Sequence, residues 1–114
     1  MSTLPVRALS ADFCVAGQLG PEAMAQAAQA GFKSVVNNRP DFEGGPNQPT
    51  NASVEAAARA AGLEYVFLPV ASGYQSPEEI ARLAQLLKTL PKPILAFCRS
   101  GARSGNLYRA AVGG

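Results

Sequence analysis

Apolar positions along the chain fall into short runs separated by helix signals. Asp12–Ala16 (DFCVA), Phe32–Val36, Leu63–Val70 (LEYVFLPV) and Pro93–Phe97 (PILAF) are compact apolar or β-branched runs and read as strands. Gly20-Pro21-Glu22 opens a helix, because proline suits the first helical position and glutamate the positive end of the dipole, and Gly31 stops it. The alanine-rich stretch from a Thr50 or Asn51 cap to Ala61 is a second helix, stopped by Gly62. Ser76-Pro77-Glu78-Glu79 is a capping box with proline at its first position. Behind it Ile80, Leu83, Leu87 and Leu90 form one core-facing stripe that ends at Pro91. A last helix runs to about Val112. Residues 37–50 (NNRPDFEGGPNQPT) hold Pro40, Gly44, Gly45, Pro46 and Pro49, a loop longer than most connections and of the kind that often carries function.

Strands alternating with helices predict an α/β fold: a single domain over residues 1–114, with a small parallel sheet of about four strands flanked by helices. Ligands on such sheets bind beyond the carboxyl ends of the strands. Cys98 stands there, after the most apolar strand, which is expected to be central.

Composition narrows the chemistry. With 114 residues, 47% hydrophobic and a mean hydropathy of +0.04, the chain can build a core and is not disordered. Two cysteines are too few for a disulfide framework. The absence of histidine excludes histidine acid–base catalysis, Ser-His-Asp triads and the commonest metal ligand; no metal or cofactor is expected. No apolar run approaches the roughly 20 residues that span a bilayer, and no signal peptide is visible, so a cytoplasmic domain without membrane contact is expected.

The net charge of +2 hides an asymmetry. Residues 1–79 hold all eight acids and four bases, whereas residues 80–114 hold six bases and no acid. Nucleic-acid binding is not expected, since the last third has only Phe97 and Tyr108 as aromatics and no dense basic stripe. A small anionic ligand fits better.

The segment around Cys98 gives that anion a place. A buried strand ends at the cysteine, a loop of small residues with Gly101 follows, and Arg103 and Ser104 open a helix. Such a loop turns several backbone N–H groups toward one point, and the helix dipole adds positive charge. A cysteine facing that nest has a depressed pKa and acts as a nucleophile toward anionic electrophiles. Cys14, between Phe13 and Val15, reads as a core residue; a resolving thiol requires its strand to neighbour that of Cys98.

Phe97-Cys98-Arg99-Ser100-Gly101-Ala102-Arg103-Ser104 resembles the active-site loops of two cysteine-enzyme groups. Protein tyrosine phosphatases carry His-Cys, five residues, then Arg and Ser or Thr. This chain keeps Gly101 and the Arg103-Ser104 pair, but has Phe97 in place of the histidine and a loop one residue shorter. Rhodanese sulfurtransferases carry Cys, four residues, then often Arg, which matches Cys98 to Arg103. Over nearly its whole length the chain resembles the phosphatase-like domain of the beta-lactamase hydrolase-like proteins, through Ala16-Gly17-Gln18, Val35-Val36-Asn37-Asn38-Arg39-Pro40-Asp41, Pro69-Val70 and the Cys98 loop. The resemblance implies a tyrosine-phosphatase-like fold. It also implies sulfur handling, because the family occurs beside persulfide-oxidising proteins.

A phosphatase needs an acid to protonate its leaving group, and Pro69–Pro77 (PVASGYQSP) contains none; Asp41 and Glu43 are the nearest alternatives. Sulfur transfer from thiosulfate or a persulfide needs no such acid. The sequence reading therefore favours a sulfurtransferase that carries a Cys98 persulfide and passes it to a thiol acceptor or a sulfur-oxidising partner protein. The alternatives are a phosphatase acting on phosphate esters through a Cys98 thiophosphate, and a non-enzymatic anion or phosphopeptide binder. In this reading Cys98 is the nucleophile and Arg103 its catalytic cation. Arg99, Ser100, Gly101, Ala102 and Ser104 form the anion cradle, and Gln18, Asn38, Arg39 and Asp41 are expected at the rim, with Asp41 a candidate acid.

Overall fold

The computed structural model describes residues 4–113. Its elements are β1 (Val6–Ser10), β2 (Phe13–Ala16), α1 (Ala23–Gln29), β3 (Ser34–Asn37), α2 (Asn51–Ala60), β4 (Glu64–Phe67), α3 (Pro77–Thr89), β5 (Ile94–Phe97) and α4 (Ala102–Gly113). One sheet has the order β1-β2-β5-β3-β4. The four parallel strands β2, β5, β3 and β4 follow from the strand–helix alternation, and β5 lies between β2 and β3 as its apolarity predicts.

Side chains alternate across the sheet and build two cores. Leu95, Phe97, Val35, Ala16 and Tyr65 face α1 and α2, where they meet Met24, Ala27, Val54 and Ala58. Ile94, Ala96, Val36, Phe13 and Val15 face α3 and α4, where they meet Leu83, Leu86 and Leu107. The α3 stripe is core as expected, with Leu83 buried and Ile80, Leu87 and Leu90 partly so; Leu86, outside the expected stripe, is buried as well. Ser76 caps α3 through a complete capping box, and Thr50 caps α2 by accepting from the Ser53 N–H.

The sheet has five strands rather than four. β1 pairs antiparallel with β2 around a bulge between Ala8 and Ser10. It gives little hydrophobic signal because it is an edge strand with exposed positions along most of its length. β4 also stops at Phe67, short of the expected Val70; Pro69 has no N–H to extend a ladder.

Register places the site. Ala16 and Asn37 both pair with Phe97, and Phe67 pairs with Asn37, so four strands end in one row. Gly17, Asn38, Leu68 and Cys98 are the next residues of each chain and gather along one edge of the sheet. No helix among the described residues is long and apolar enough to cross a membrane, and no three described His, Cys, Asp or Glu side chains cluster as a metal site would require.

Candidate active site

The Cys98 loop is tied to its neighbours before it turns. Cys98 N–H donates to the Ala16 carbonyl (3.3 Å), Asn38 N–H to the Phe97 carbonyl (2.8 Å), and Gln18 N–H to the Arg99 carbonyl (3.2 Å). Close approach explains two glycines. A Cβ on Gly17 would stand 3.1 Å from the Arg99 carbonyl oxygen, and Gly101 adopts φ +92°, with Ala16 backbone 3.3 Å from where its Cβ would be. That turn aims the Gly101 N–H at the Cys98 sulfur, 3.1 Å away, and starts α4.

Cys98 is 1% exposed. Burial alone pushes its thiol up. The backbone N–H and hydroxyl of Ser104, then the backbone N–H groups of Ser100 and Gly101, outweigh burial and hold the thiol below its ordinary value. The Ser104 hydroxyl has one proton, and it lies 2.8 Å from Asn38 Oδ1. We therefore assign the depression chiefly to the backbone donors.

Arg103, at 9% exposure, is held in place by a residue sixty positions away. Its Nη1 donates to Glu43 Oε2 (3.0 Å) and to the Val70 carbonyl (3.0 Å), and its Nη2 donates to Glu43 Oε1 (3.1 Å). Arg39 approaches the same carboxylate from the other side, Nε to Oε1 at 2.9 Å, and passes Nη1 to Gln18 Oε1 at 3.0 Å. The hydrogen bond from Arg103, aided by Arg39 and opposed by partial burial, holds the Glu43 carboxyl below the usual carboxylate range. A guanidinium has five N–H donors, so Arg103 keeps donors for an oxyanion after Glu43 and Val70 are served.

The rest of the expected rim divides. Gln18 and Arg39 do come together as partners of each other, and Arg39 also pairs with Glu43. Asn38 is a brace: Nδ2 donates to the Leu68 carbonyl (2.9 Å), Oδ1 accepts from Ser104, and its carbonyl accepts from the Val70 N–H (2.9 Å). Asp41 is not brought to the cleft. Its Oδ1 accepts from the Asn51 N–H at 2.7 Å, at the start of α2, because the loop folds back onto that helix. Asp41, expected at the rim or as an acid, instead holds that helix start and lines neither lobe of the cleft over the Cys98 loop. The loop is also pinned by Tyr65, whose hydroxyl donates to Asn51 Oδ1 (2.7 Å) and accepts from Asn37 Nδ2 (3.1 Å); burial pushes that phenol up to about 12.

An open cleft of two lobes lies over the loop. Cys98, Arg99, Ser100, Ala102 and Arg103 line the smaller lobe, of about 250 Å³, together with Ser72, Gly73, Gln75 and Asn106. Arg39, Glu43 and Gly44 line the larger one, of about 580 Å³, which shares Ser72, Arg99 and Arg103 with the first. Glu43 as the partner of Arg103, and Ser72, Gln75 and Asn106 as lining residues, escaped sequence reasoning. The available signal for Glu43 was its place four residues after Arg39 in an unusually long loop.

Cys14 lies on β2 opposite Leu95 of β5, so the strands are neighbours. Three residues of strand rise, about 10 Å, separate that level from Cys98, and the Cys14 side chain packs into the α1–α2 core. Cα atoms beyond about 7 Å cannot be bridged without backbone movement, which argues against a resolving thiol.

A cysteine cradled by backbone N–H groups at the end of a central parallel strand, with an arginine opening the next helix, defines a tyrosine-phosphatase-like α/β domain. The family described as Beta-lactamase hydrolase-like protein, phosphatase-like domain, matches residues 5–113, and the chain belongs to it. It is 37% identical over 94 residues to a beta-lactamase hydrolase-like protein of Xylella fastidiosa (strain Temecula1), covering 82% of this chain and 22% of that protein. The chain thus spans about a fifth of the length of that relative. Among solved structures, a candidate phosphatase of Neisseria meningitidis superposes with a TM-score of 0.81 at 29% identity, over 89% of this chain and 71% of that one. P. aeruginosa TpbA, solved in complex with pTyr, shares the fold at a TM-score of 0.69 and 18% identity, over 97% of this chain and 65% of that one.

Proposed function

We propose that the domain is a cysteine-dependent phosphatase acting through a Cys98 thiophosphate. The observation that carries this reading is the Gly101 N–H on the Cys98 sulfur beside an Arg103 fixed by both oxygens of Glu43. Family membership and the likeness to the Neisseria candidate phosphatase support it over the sulfurtransferase that the sequence alone favoured. The thiolate attacks phosphorus, the P–O bond breaks toward the leaving oxygen, and water then releases phosphate and restores the thiolate. The loop N–H groups and the free donors of Arg103 stabilise the equatorial oxygens as charge builds there. Glu43 positions Arg103, and Arg99 stands at the mouth as a further cation. A phosphoryl dianion, as carried by the pTyr in the TpbA complex, suits the charge of the small lobe, which Arg99 and Arg103 line.

Sulfur transfer is the second reading, favoured by the four-residue Cys98–Arg103 loop and by the lack of an unpaired carboxylate at the cleft. One experiment separates the two. Phosphate release from 4-nitrophenyl phosphate and thiocyanate formation from thiosulfate and cyanide are measured on the wild type, Cys98→Ser and Arg103→Lys. Phosphate release lost in Cys98→Ser and cut by at least tenfold in Arg103→Lys, whose point charge cannot replace the guanidinium fork, supports the phosphatase. Cys98-dependent thiocyanate without phosphate release replaces it with the sulfurtransferase.

A further inference from the structure

We infer that the site works without a general acid, and that its substrates are phosphoryl compounds whose leaving group departs as an anion: acyl phosphates, phosphoanhydrides and activated aryl phosphates. This rests on the phosphatase reading and names the substrate class within it. All eight carboxylic acids of the chain lie among the described residues, and each is accounted for. Asp12 and Glu64 stand at the amino ends of β2 and β4, the far edge of the sheet. Glu55 pairs with Arg59 on α2, Glu79 closes the Ser76 capping box, and Asp41 holds the Asn51 N–H. Glu22 and Glu78 stand at the starts of α1 and α3 and line neither lobe.

Only Glu43 reaches the cleft, and it is the wrong kind of acid. Both oxygens are committed to guanidinium groups, and that pairing keeps the carboxyl ionised, so it has no proton to give. The loop that borders the small lobe offers Ser72 and Gln75 but no carboxyl group. A second observation points the same way. The large lobe adjoins the Cys98 lobe through Ser72, Arg99 and Arg103, and sets three arginines against one glutamate. Such a lobe accepts a leaving group as an anion better than as a neutral alcohol. The step balances without a proton: the Cys98 sulfur forms the S–P bond, and the P–O bond breaks. Its electron pair stays on the leaving oxygen as a carboxylate, phosphate or stabilised phenoxide.

The test is the dependence of kcat/KM on leaving-group pKa. A series of substituted phenyl phosphates, from nitro-substituted to unsubstituted, and acetyl phosphate are assayed on the wild type, on Tyr74→Phe and on Cys98→Ser. Tyr74 is exposed on the bordering loop and lines neither lobe, so its hydroxyl controls for an unrecognised proton donor. The inference predicts a steep fall, roughly tenfold per unit of leaving-group pKa, the same slope in Tyr74→Phe, and acetyl phosphate turned over faster than unsubstituted phenyl phosphate. A flat dependence in the wild type, or a shallow one that steepens in Tyr74→Phe, overturns the inference while leaving the phosphatase standing. No release from any of these compounds above the Cys98→Ser level removes the phosphatase reading and the inference with it.

Discussion

Arg103 is buried, and its charge is met by one carboxylate that it shares with Arg39. Taking away one partner of a buried, hydrogen-bonded charge costs more than the pair contributes, because the other charge is left unmet. Glu43→Gln is expected to lower kcat/KM by roughly ten- to a hundredfold, the size of one charge-assisted hydrogen bond. Its stability signature separates positioning from proton donation. Because the folded pKa of Glu43 is lowered, its contribution is complete above the unfolded carboxylate value of about 4.3 and is lost as pH falls through the folded value. The gap in Tm between wild type and Glu43→Gln should therefore be widest near pH 7 and close toward pH 3 in thermal melts. At Gly101, φ +92° is strained for any side chain, and a Cβ would crowd the Ala16 backbone at 3.3 Å. Gly101→Ala is expected to cost about 1–2 kcal/mol from the left-handed backbone alone, read as a lower denaturant midpoint.

Among the elements, the four parallel strands and four helices were legible because each carries its own local signal. The β5 run is wholly apolar, the α3 stripe repeats at helical spacing, and Ser76 and Glu79 sit at capping-box distance. β1 was not legible, since an exposed edge strand with a bulge has little burial to pattern it. The Cys98 cradle could be read from sequence because strand, glycine turn and helix start are contiguous. What arms it could not: the hydrogen bonds that Arg103 donates to Glu43 join residues sixty apart, and the Asp41–Asn51 contact decides only in three dimensions that this acid serves a helix. The loop over residues 37–50 is held to the sheet by Tyr65, whose hydroxyl bonds Asn51 and Asn37. Tyr65→Phe leaves those amides short of a partner. It is expected to cost about 1–3 kcal/mol in equilibrium unfolding.

At the scale of the molecule, register and charge converge on one edge. Parallel strands that end in one row put Gly17, Asn38 and Cys98 together, and Arg39, Arg99 and Arg103 set positive charge in the cleft beside them. The two cysteines should then behave oppositely. Backbone N–H groups hold Cys98 below its ordinary value, whereas burial pushes Cys14 up. Alkylation by iodoacetate, mapped by mass spectrometry across pH, is expected to modify Cys98 well below the free-thiol value of about 8.5 and Cys14 only above it. Comparable rates at both residues at pH 7 would show that the cradle does not ionise its cysteine.

A phosphoryl group taken up by Cys98 registers in the intact mass of the protein. The domain is mixed with excess 4-nitrophenyl phosphate and quenched in acid during turnover, beside a parallel sample given thiosulfate and a Cys98→Ser control. A gain of one phosphoryl group is expected in the first sample, located on the Cys98 peptide and absent from the control. A gain of one sulfur atom from thiosulfate, with no phosphoryl adduct at any quench time, would contradict the phosphatase reading and make the domain a sulfur carrier.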